Sequence, residues 1–236
     1  MIAENLQRVR ATLKQGVCLV AVSKFHPVEA LREAYGAGQR IFGESHVQEL
    51  MAKEEVLPKD IEWHFIGHLQ TNKVKYIVPY ISLIHSVDSV KLLKEINKQA
   101  EKVDRVVDVL LQLHVAAEET KFGFTPGELL EMLAAGEWKT MQHVRVVGLM
   151  AMATNTDDEG QIAREFDTVN QVFATVKECF FADEPAFKER SMGMSSDYLI
   201  AQDHGSTMVR VGTTIFGERD YGKGWGGEFR VEGLEG

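Results

Sequence analysis

Cysteine and long apolar runs are scarce in this sequence of 236 residues. The two cysteines, Cys18 and Cys179, lie too far apart to match a metal-binding or redox spacing, so we expect two reduced thiols. No apolar run approaches the length needed to span a bilayer, which argues against a membrane segment. The stretch from Met1 to Arg10 lacks the apolar block of a signal peptide, which predicts a cytoplasmic protein.

Basic residues are also in the minority, with 26 Lys and Arg against 35 Asp and Glu, for a formal net charge of −9. A general nucleic-acid-binding protein would present a basic face, so we expect no nucleic acid partner. The eight histidines are scattered, and no pair has ligand spacing on one predicted element, so we expect no metal. No Gly-rich dinucleotide fingerprint follows the first predicted strand, which disfavours a doubly wound open sheet.

The sequence instead contains a regular alternation of strand and helix patterns, and 44% of its residues are hydrophobic. The segments typical of strands are 19–22, 40–43, 62–67, 83–87, 106–115, 144–150, 192–194 and 207–212. Eight strands alternating with helices predict an α/β protein, a single (β/α)8 TIM barrel. Because no linker or repeat interrupts the pattern, we expect one domain over residues 1–221. The Gly-rich residues 222–236 are expected to form a partly disordered tail.

Lys24 follows the first predicted strand, which is an unusual place for a charged side chain. Simple exposure to solvent is one interpretation, because lysine is rarely fully buried. The alternative is a lysine at the mouth of the barrel that forms a Schiff base with a carbonyl ligand. Barrel enzymes place their active sites at the carboxyl ends of the strands and often bind phosphate after strands seven and eight.

The ends of the seventh and eighth predicted strands carry groups suited to phosphate. Ser195 lies in a hydroxyl-rich turn, and Gly212 and Thr213 follow the eighth strand, although each could serve only as a cap or turn residue. Alternation points Arg210 toward the barrel axis, where an arginine needs a partner. Because strands one and eight are neighbours in a closed barrel, these donors converge on Lys24. The combination indicates pyridoxal phosphate.

Several longer motifs carry a family resemblance. The motifs are AVSK at 21–24, FGE at 42–44, WHFIG at 63–67, GLM at 148–150, SMGMS at 191–195 and VRVG at 209–212. With these motifs, the chain resembles the pyridoxal phosphate homeostasis proteins, relatives of the N-terminal barrel of alanine racemase. The resemblance implies a fold-type III barrel with the cofactor held as an internal aldimine on Lys24.

The resemblance also implies a role for each residue at the end of strands seven and eight. Ser195, Gly212 and Thr213 would hold the phosphate, and Arg210 would face the pyridine nitrogen. Burial and the Arg210 cation would favour the neutral amine of Lys24, which a Schiff base requires.

Three further residues would line the pocket by the same resemblance: His64, Met150 and Ser45. Ser45 departs from the family pattern, in which Asn is common after Gly-Glu. His114 is a second departure, since Asn is common there too. By the resemblance, both departures would concern hydrogen bonds at the pocket edge rather than cofactor binding itself.

The function that the resemblance implies is intracellular vitamin B6 homeostasis. The protein would be a monomeric carrier rather than an enzyme, binding pyridoxal phosphate and buffering it or delivering it to apo-enzymes. Arg210 would leave the pyridine ring unprotonated, which makes it a weak electron sink. Racemases of this fold add a second base from a separate β-domain, which we do not expect here. Two enzyme classes stay open: an amino-acid racemase or lyase, and a Schiff-base aldolase acting on a phosphorylated sugar.

Overall fold

The computed structural model describes residues 1–119, 122–219 and 221, so the predicted tail at 222–236 lies outside the described residues. Eight parallel strands close into a barrel in chain order, with β8 pairing to β1. The strands are β1 Cys18–Val22, β2 Ile41–Glu44, β3 Glu62–Phe65, β4 Leu83–Val87, β5 Val107–His114, β6 Val144–Met152, β7 Glu189–Ser191 and β8 Met208–Val211. This closure confirms the predicted fold class.

Helices lie before the first strand, between successive strands and after the last strand. They are α1 Ile2–Thr12, α2 Val28–Gly36, α3 Val47–Val56, α4 Val74–Ile77, α5 Val90–Lys102, α6 Pro126–Ala135, α7 Glu159–Phe180, α8 Tyr198–Asp203 and α9 Thr213–Phe216. The start of α6 is a capping box, in which the side chain of Thr125 accepts from the Glu128 N–H and the side chain of Glu128 accepts from the Thr125 N–H. Within the described ranges, no helix is both long enough and apolar enough to cross a bilayer.

Alternation along the strands separates an outer face from an inner face. Val209 and Val211 of β8 belong to the large core between the strands and the helices, as the sequence predicts. A smaller apolar cluster fills the barrel interior: Val20, Leu83, Leu110, Val147, Met150 and Met208. Because Arg210 alternates with the two valines, its buried side chain faces the barrel axis.

The seventh strand lies three residues earlier than predicted. β7 is Glu189–Ser191, with Glu189 paired to Gly148 and Ser191 paired to Met208. The residues predicted as the strand, 192–194, follow β7 instead, and Met192 packs in the outer core after the strand has ended. The consequence is that Ser191, on the inner face, becomes part of the barrel interior.

Candidate functional site

A pocket of about 230 Å³ opens at the carboxyl ends of the strands. Its walls are Val22, Lys24, Ser45, Ile66, Met152, Met194, Ser195, Ser196, Arg210, Gly212, Thr213 and Arg219. Six of the eight residues predicted from the sequence are therefore brought together here: Lys24, Ser45, Ser195, Arg210, Gly212 and Thr213. A larger cavity of about 590 Å³ lies at the opposite end of the barrel, away from Lys24.

The contact between Ser195 and Gly212 joins the ends of β7 and β8 at one side of the pocket. The backbone N–H of Gly212 donates to Ser195 Oγ at 3.0 Å. A Cβ at position 212 would lie 3.1 Å from the Val22 carbonyl oxygen, so glycine allows β8 to approach β1 closely. Together with Thr213, these residues bring hydroxyl and backbone donors to the same side of the pocket, which suits a phosphate group.

The turn that carries Ser195 is fixed by its neighbours. Gly193 has a φ of 104°, a left-handed value that favours glycine, and an added Cβ would lie 2.6 Å from the Ala201 Cβ. Asp197 Oδ1 accepts a hydrogen bond from the Met194 N–H at 2.7 Å. The local sequence thus fixes the turn before any ligand binds.

Lys24 is half-buried, and its side chain lines the pocket. Its Nζ has no hydrogen-bond partner among residues 1–119, 122–219 and 221. Burial lowers the pKa of Lys24, and the nearby Arg219 cation lowers it further. The Arg210 cation acts in the same direction more weakly, whereas Glu44 and Glu49 partly oppose these effects. The net result is an amine that loses its proton more readily than an exposed lysine.

The turn around Lys24 is held from behind by a buried lysine and two buried carboxylates, which we call the Lys53 cluster: Glu44, Glu49 and Lys53. Lys53 Nζ donates to Glu44 Oε1 at 2.7 Å and to Glu49 Oε1 at 2.8 Å. It also donates to the carbonyl oxygen of Ser23 at 2.7 Å. Glu49 Oε1 accepts from the Phe25 N–H at 2.6 Å. Both residues next to Lys24 are therefore bonded to the cluster.

The turn has an unusual backbone geometry, and the cluster behind it contains a carboxyl group with a shifted pKa. Phe25 has a φ of 64°, which is left-handed and costly for a residue with a Cβ. Burial raises the pKa of Glu44 from its ordinary value of 4.5 to about 7, and Lys53 opposes that rise only in part. No role for the cluster was predicted from the sequence. Two signals were available: Glu44 lies in the FGE motif at 42–44, and Glu49 and Lys53 have i, i+4 spacing on α3.

Arg210 is held rigidly by neutral acceptors. Its Nη1 donates to Ser191 Oγ at 2.5 Å, and its Nη2 donates to the carbonyl oxygen of Ala151 at 3.1 Å. Burial lowers the pKa of the guanidinium to about 10, and Asp197 opposes that shift. The group still carries its charge at neutral pH, so it presents a fixed cation to the pocket.

The structure does not bring His64 and Met150 to this pocket. Met150 lies one layer deeper in the barrel interior, because β6 continues past it, and Met152 lines the pocket in its place. His64 is buried on β3 and lines the larger cavity at the other end of the barrel. Arg219, just after α9, is a pocket residue that the sequence analysis missed. In the described part of the chain, no group of three His, Cys, Asp or Glu residues could hold a metal ion.

Sequence comparison places this chain among known relatives. The family model described as the N-terminal domain of alanine racemase matches residues 1–220. The pyridoxal phosphate homeostasis protein of Schizosaccharomyces pombe is 39% identical over 221 residues, with 91% of each chain covered. The protein of the same name from Aquifex aeolicus is 40% identical over 205 residues, covering 86% of this chain and 87% of its own.

Solved structures give the same grouping. PipY of Synechococcus elongatus, in its form without pyridoxal phosphate, is 38% identical, with a TM-score of 0.85 over 92% of this chain and 100% of PipY. The form of PipY with pyridoxal phosphate bound has a TM-score of 0.83 and 37% identity over the same shares. Alanine racemase from Streptomyces lavendulae, at 18% identity and a TM-score of 0.73, covers 92% of this chain and 56% of its own and shares the fold.

Proposed function

Since the chain belongs to the pyridoxal phosphate homeostasis protein family, we propose that it binds pyridoxal phosphate as a Schiff base on Lys24 and buffers or delivers the cofactor. One observation carries the proposal: a lysine of lowered pKa lines a pocket whose other side presents phosphate donors. When bound, the cofactor supplies an aldehyde, and condensation with the Lys24 amine forms a C=N bond and releases water. Vitamin B6 homeostasis inside the cell is the corresponding role.

The pocket residues suit the chemistry of the cofactor. Ser195 and Thr213 supply hydroxyl donors for a phosphate, the Gly212 N–H holds the Ser195 oxygen in place, and Arg219 adds positive charge beside them. In the described part of the chain, no carboxylate lines the pocket, so its charge complements a dianion. Arg210, which remains cationic, would face the pyridine nitrogen and disfavour its protonation.

The same residues favour carriage over catalysis. Efficient racemisation by the two-base mechanism uses a base on each face of the substrate carbon. Among the described pocket residues, Lys24 is the one side chain able to act as a base at neutral pH, because the rest are arginines, hydroxyls and apolar groups. We therefore propose a carrier, with the racemase and aldolase alternatives as outcomes of the tests below.

The first test uses an absorbance spectrum and reduction by borohydride. Wild-type protein incubated with pyridoxal phosphate is expected to gain the Schiff-base absorbance and, after reduction, one covalent label on the peptide containing Lys24. Lys24→Ala is expected to lose both signals, whereas Lys91→Ala, an exposed lysine on α5, keeps them. Label of equal yield in Lys24→Ala would contradict the proposal. Trapping with a phosphorylated keto-sugar but not with pyridoxal phosphate would identify an aldolase.

The second test separates a carrier from an enzyme. Loaded protein is expected to reactivate the apo form of a pyridoxal phosphate enzyme while an excess of a free-aldehyde scavenger is present. Exchange of the Cα hydrogen of amino acids for deuterium is expected to stay well below the roughly 1 s⁻¹ that typical enzymes reach. Exchange at or above that rate would establish a racemase or lyase instead.

A further inference from the structure

A chain of buried hydrogen bonds crosses the barrel interior from the cofactor pocket to the opposite end. Arg210 Nη1 donates to Ser191 Oγ at 2.5 Å, and Ser191 Oγ lies 2.8 Å from His85 Nδ1. His85 Nε2 in turn lies 2.9 Å from His64 Nδ1. All four side chains are buried, and they come from β8, β7, β4 and β3. We call this chain the axial relay.

The axial relay ends at the larger cavity of about 590 Å³. His64 lines that cavity although only 4% of its surface is exposed. Its Nδ1 is engaged with His85, and its Nε2 has no hydrogen-bond partner in the described ranges. Because His64 lines the cavity, this end of the relay borders the cavity. The relay therefore runs from Arg210 to the cavity at the amino ends of the strands.

The direction of the hydrogen bonds follows from which groups can donate. Arginine only donates, so Ser191 Oγ accepts from Arg210. The Ser191 hydroxyl proton then has a single described acceptor in reach, His85 Nδ1, and Ser191 is fully buried. A buried hydroxyl donor without an acceptor is disfavoured, so Ser191 donates to His85 Nδ1. His85 Nε2–H must then donate to His64 Nδ1, which places the His64 proton on Nε2.

We propose that Ser191, His85 and His64 are positioning residues for Arg210, joined in one directed relay in which both histidines are neutral and carry their proton on Nε2. Burial lowers the pKa of His64 to about 3 and lowers that of His85 as well, which agrees with neutral rings. The orientation of the Ser191 hydroxyl fixes the acceptor that Arg210 Nη1 uses. The relay thereby sets how Arg210 faces the cofactor, a step that rests on the proposed function.

Nitrogen NMR of the cofactor-free protein tests the relay without any ligand. Long-range ¹⁵N–¹H correlation is expected to show both rings in the Nε2–H form at neutral pH, with His64→Gln and His85→Asn identifying the signals. A proton on Nδ1 of either ring, or a charged ring, would overturn the proposal. This result is independent of whether the wild-type protein binds pyridoxal phosphate.

Affinity measurements then test the link to Arg210. His85→Leu removes the acceptor for Ser191, whereas the Asn Oδ1 of His85→Asn can accept at the position of Nδ1. We expect His85→Leu to weaken pyridoxal phosphate binding roughly tenfold, consistent with one lost buried hydrogen bond, and His85→Asn to stay within about threefold of wild type. Equal losses in the two variants would overturn the positioning role.

A double-mutant cycle separates positioning from a general structural effect. In an Arg210→Gln background, His85→Leu is expected to cause no further loss of affinity, since the group it positions is gone. If the loss of affinity in the double variant equalled the product of the losses in the two single variants, the positioning role of the relay would be contradicted. Thermal unfolding of each variant checks that the compared proteins are folded. If the wild type bound no pyridoxal phosphate, the proposed function would be refuted, but the NMR test of the relay would still be valid.

Discussion

Two lysines lie on opposite sides of the turn that follows β1, and their surroundings differ in almost every respect. Lys24 is half-buried, lines the pocket at the carboxyl ends of the strands and has no hydrogen-bond partner among the described residues. Lys53 is fully buried and donates to three oxygens within 2.8 Å, from Ser23, Glu44 and Glu49. One lysine is left available for reaction, and the other is committed to structure.

Hydrogen-bond and charge partners, more than burial, distinguish the roles of these two lysines. Burial without a partner destabilises the ammonium and lowers the pKa of Lys24, as a nucleophile requires. Burial with two carboxylates and a carbonyl gives the Lys53 amino group three acceptors and fixes its position. The two roles are connected, because the Lys53 cluster bonds to both residues that flank Lys24.

Lys53→Met is expected to have the largest effect on stability. It would leave two buried carboxylates without their cation, and breaking a buried pair in this way costs about 3–5 kcal/mol. Urea unfolding at pH 7 measures the loss, with Lys91→Met on the exposed face of α5 as the matched control. A decrease in the free energy of unfolding of less than about 1 kcal/mol would show that the cluster does not stabilise the turn.

The sequence predicted more about Lys24 than about Lys53, for physical reasons. Lys24 follows a strand whose alternation and neighbours in a closed barrel are readable from local patterns. Lys53 looks like an ordinary surface residue of an amphipathic helix, because its partners Glu44 and Ser23 come from other elements. Contacts that depend on how α3 docks on β1 and β2 are not encoded in any short-range spacing.

The depth of residues in the barrel was harder to predict than their face. Alternation placed Arg210 on the inner face correctly, and family motifs located Ser195 and Gly212 at the pocket. Met150 was assigned to the pocket although it lies one layer below it, because the end of β6 was predicted two residues too early. Depth along the axis depends on strand length and stagger, which sequence patterns define poorly.

Glu44→Gln is expected to have the next largest effect on the free energy of unfolding, and this effect depends on pH. Burial raises the pKa of Glu44 to about 7, so between about pH 4.5 and 7 the folded state binds a proton that the unfolded chain has released. Stability from this group is therefore present at low pH and is lost as pH rises through 7. Glutamine resembles the protonated form and does not titrate.

Urea unfolding from pH 5 to pH 8 measures this effect in the wild type and in Glu44→Gln. The stability of the wild type relative to the variant is expected to fall by roughly 1–3 kcal/mol over that range. Taking the difference removes the contribution of every group that titrates equally in both proteins. If the stability of the wild type relative to the variant rose with pH, pairing with Lys53 would outweigh burial in setting the pKa of Glu44. The folded state would then favour the ionised carboxylate of Glu44.

Phe25→Gly and Phe25→Ala form a matched pair that isolates the geometry of the turn. Both variants lose the ring that packs near His46 and Tyr221, but only glycine tolerates a φ of 64° without strain. We expect the glycine variant to be more stable than the alanine variant by about 1 kcal/mol in urea unfolding. If Phe25→Ala were more stable than Phe25→Gly, the turn would have changed its backbone conformation. The cluster would then not fix the position of Lys24.

Lys24→Met is expected to have the smallest effect on stability, and it completes the comparison with Lys53→Met. The Lys24 ammonium has no partner to lose in the described ranges, and its lowered pKa means that folding disfavours its charged form. Removing it should therefore change the free energy of unfolding by no more than about 0.5 kcal/mol, in either direction. The same protein should lose all borohydride labelling with pyridoxal phosphate. If Lys24→Met lowered the free energy of unfolding by several kcal/mol in the absence of cofactor, Lys24 would have a structural role as well. The two lysines would then not differ in function as we infer.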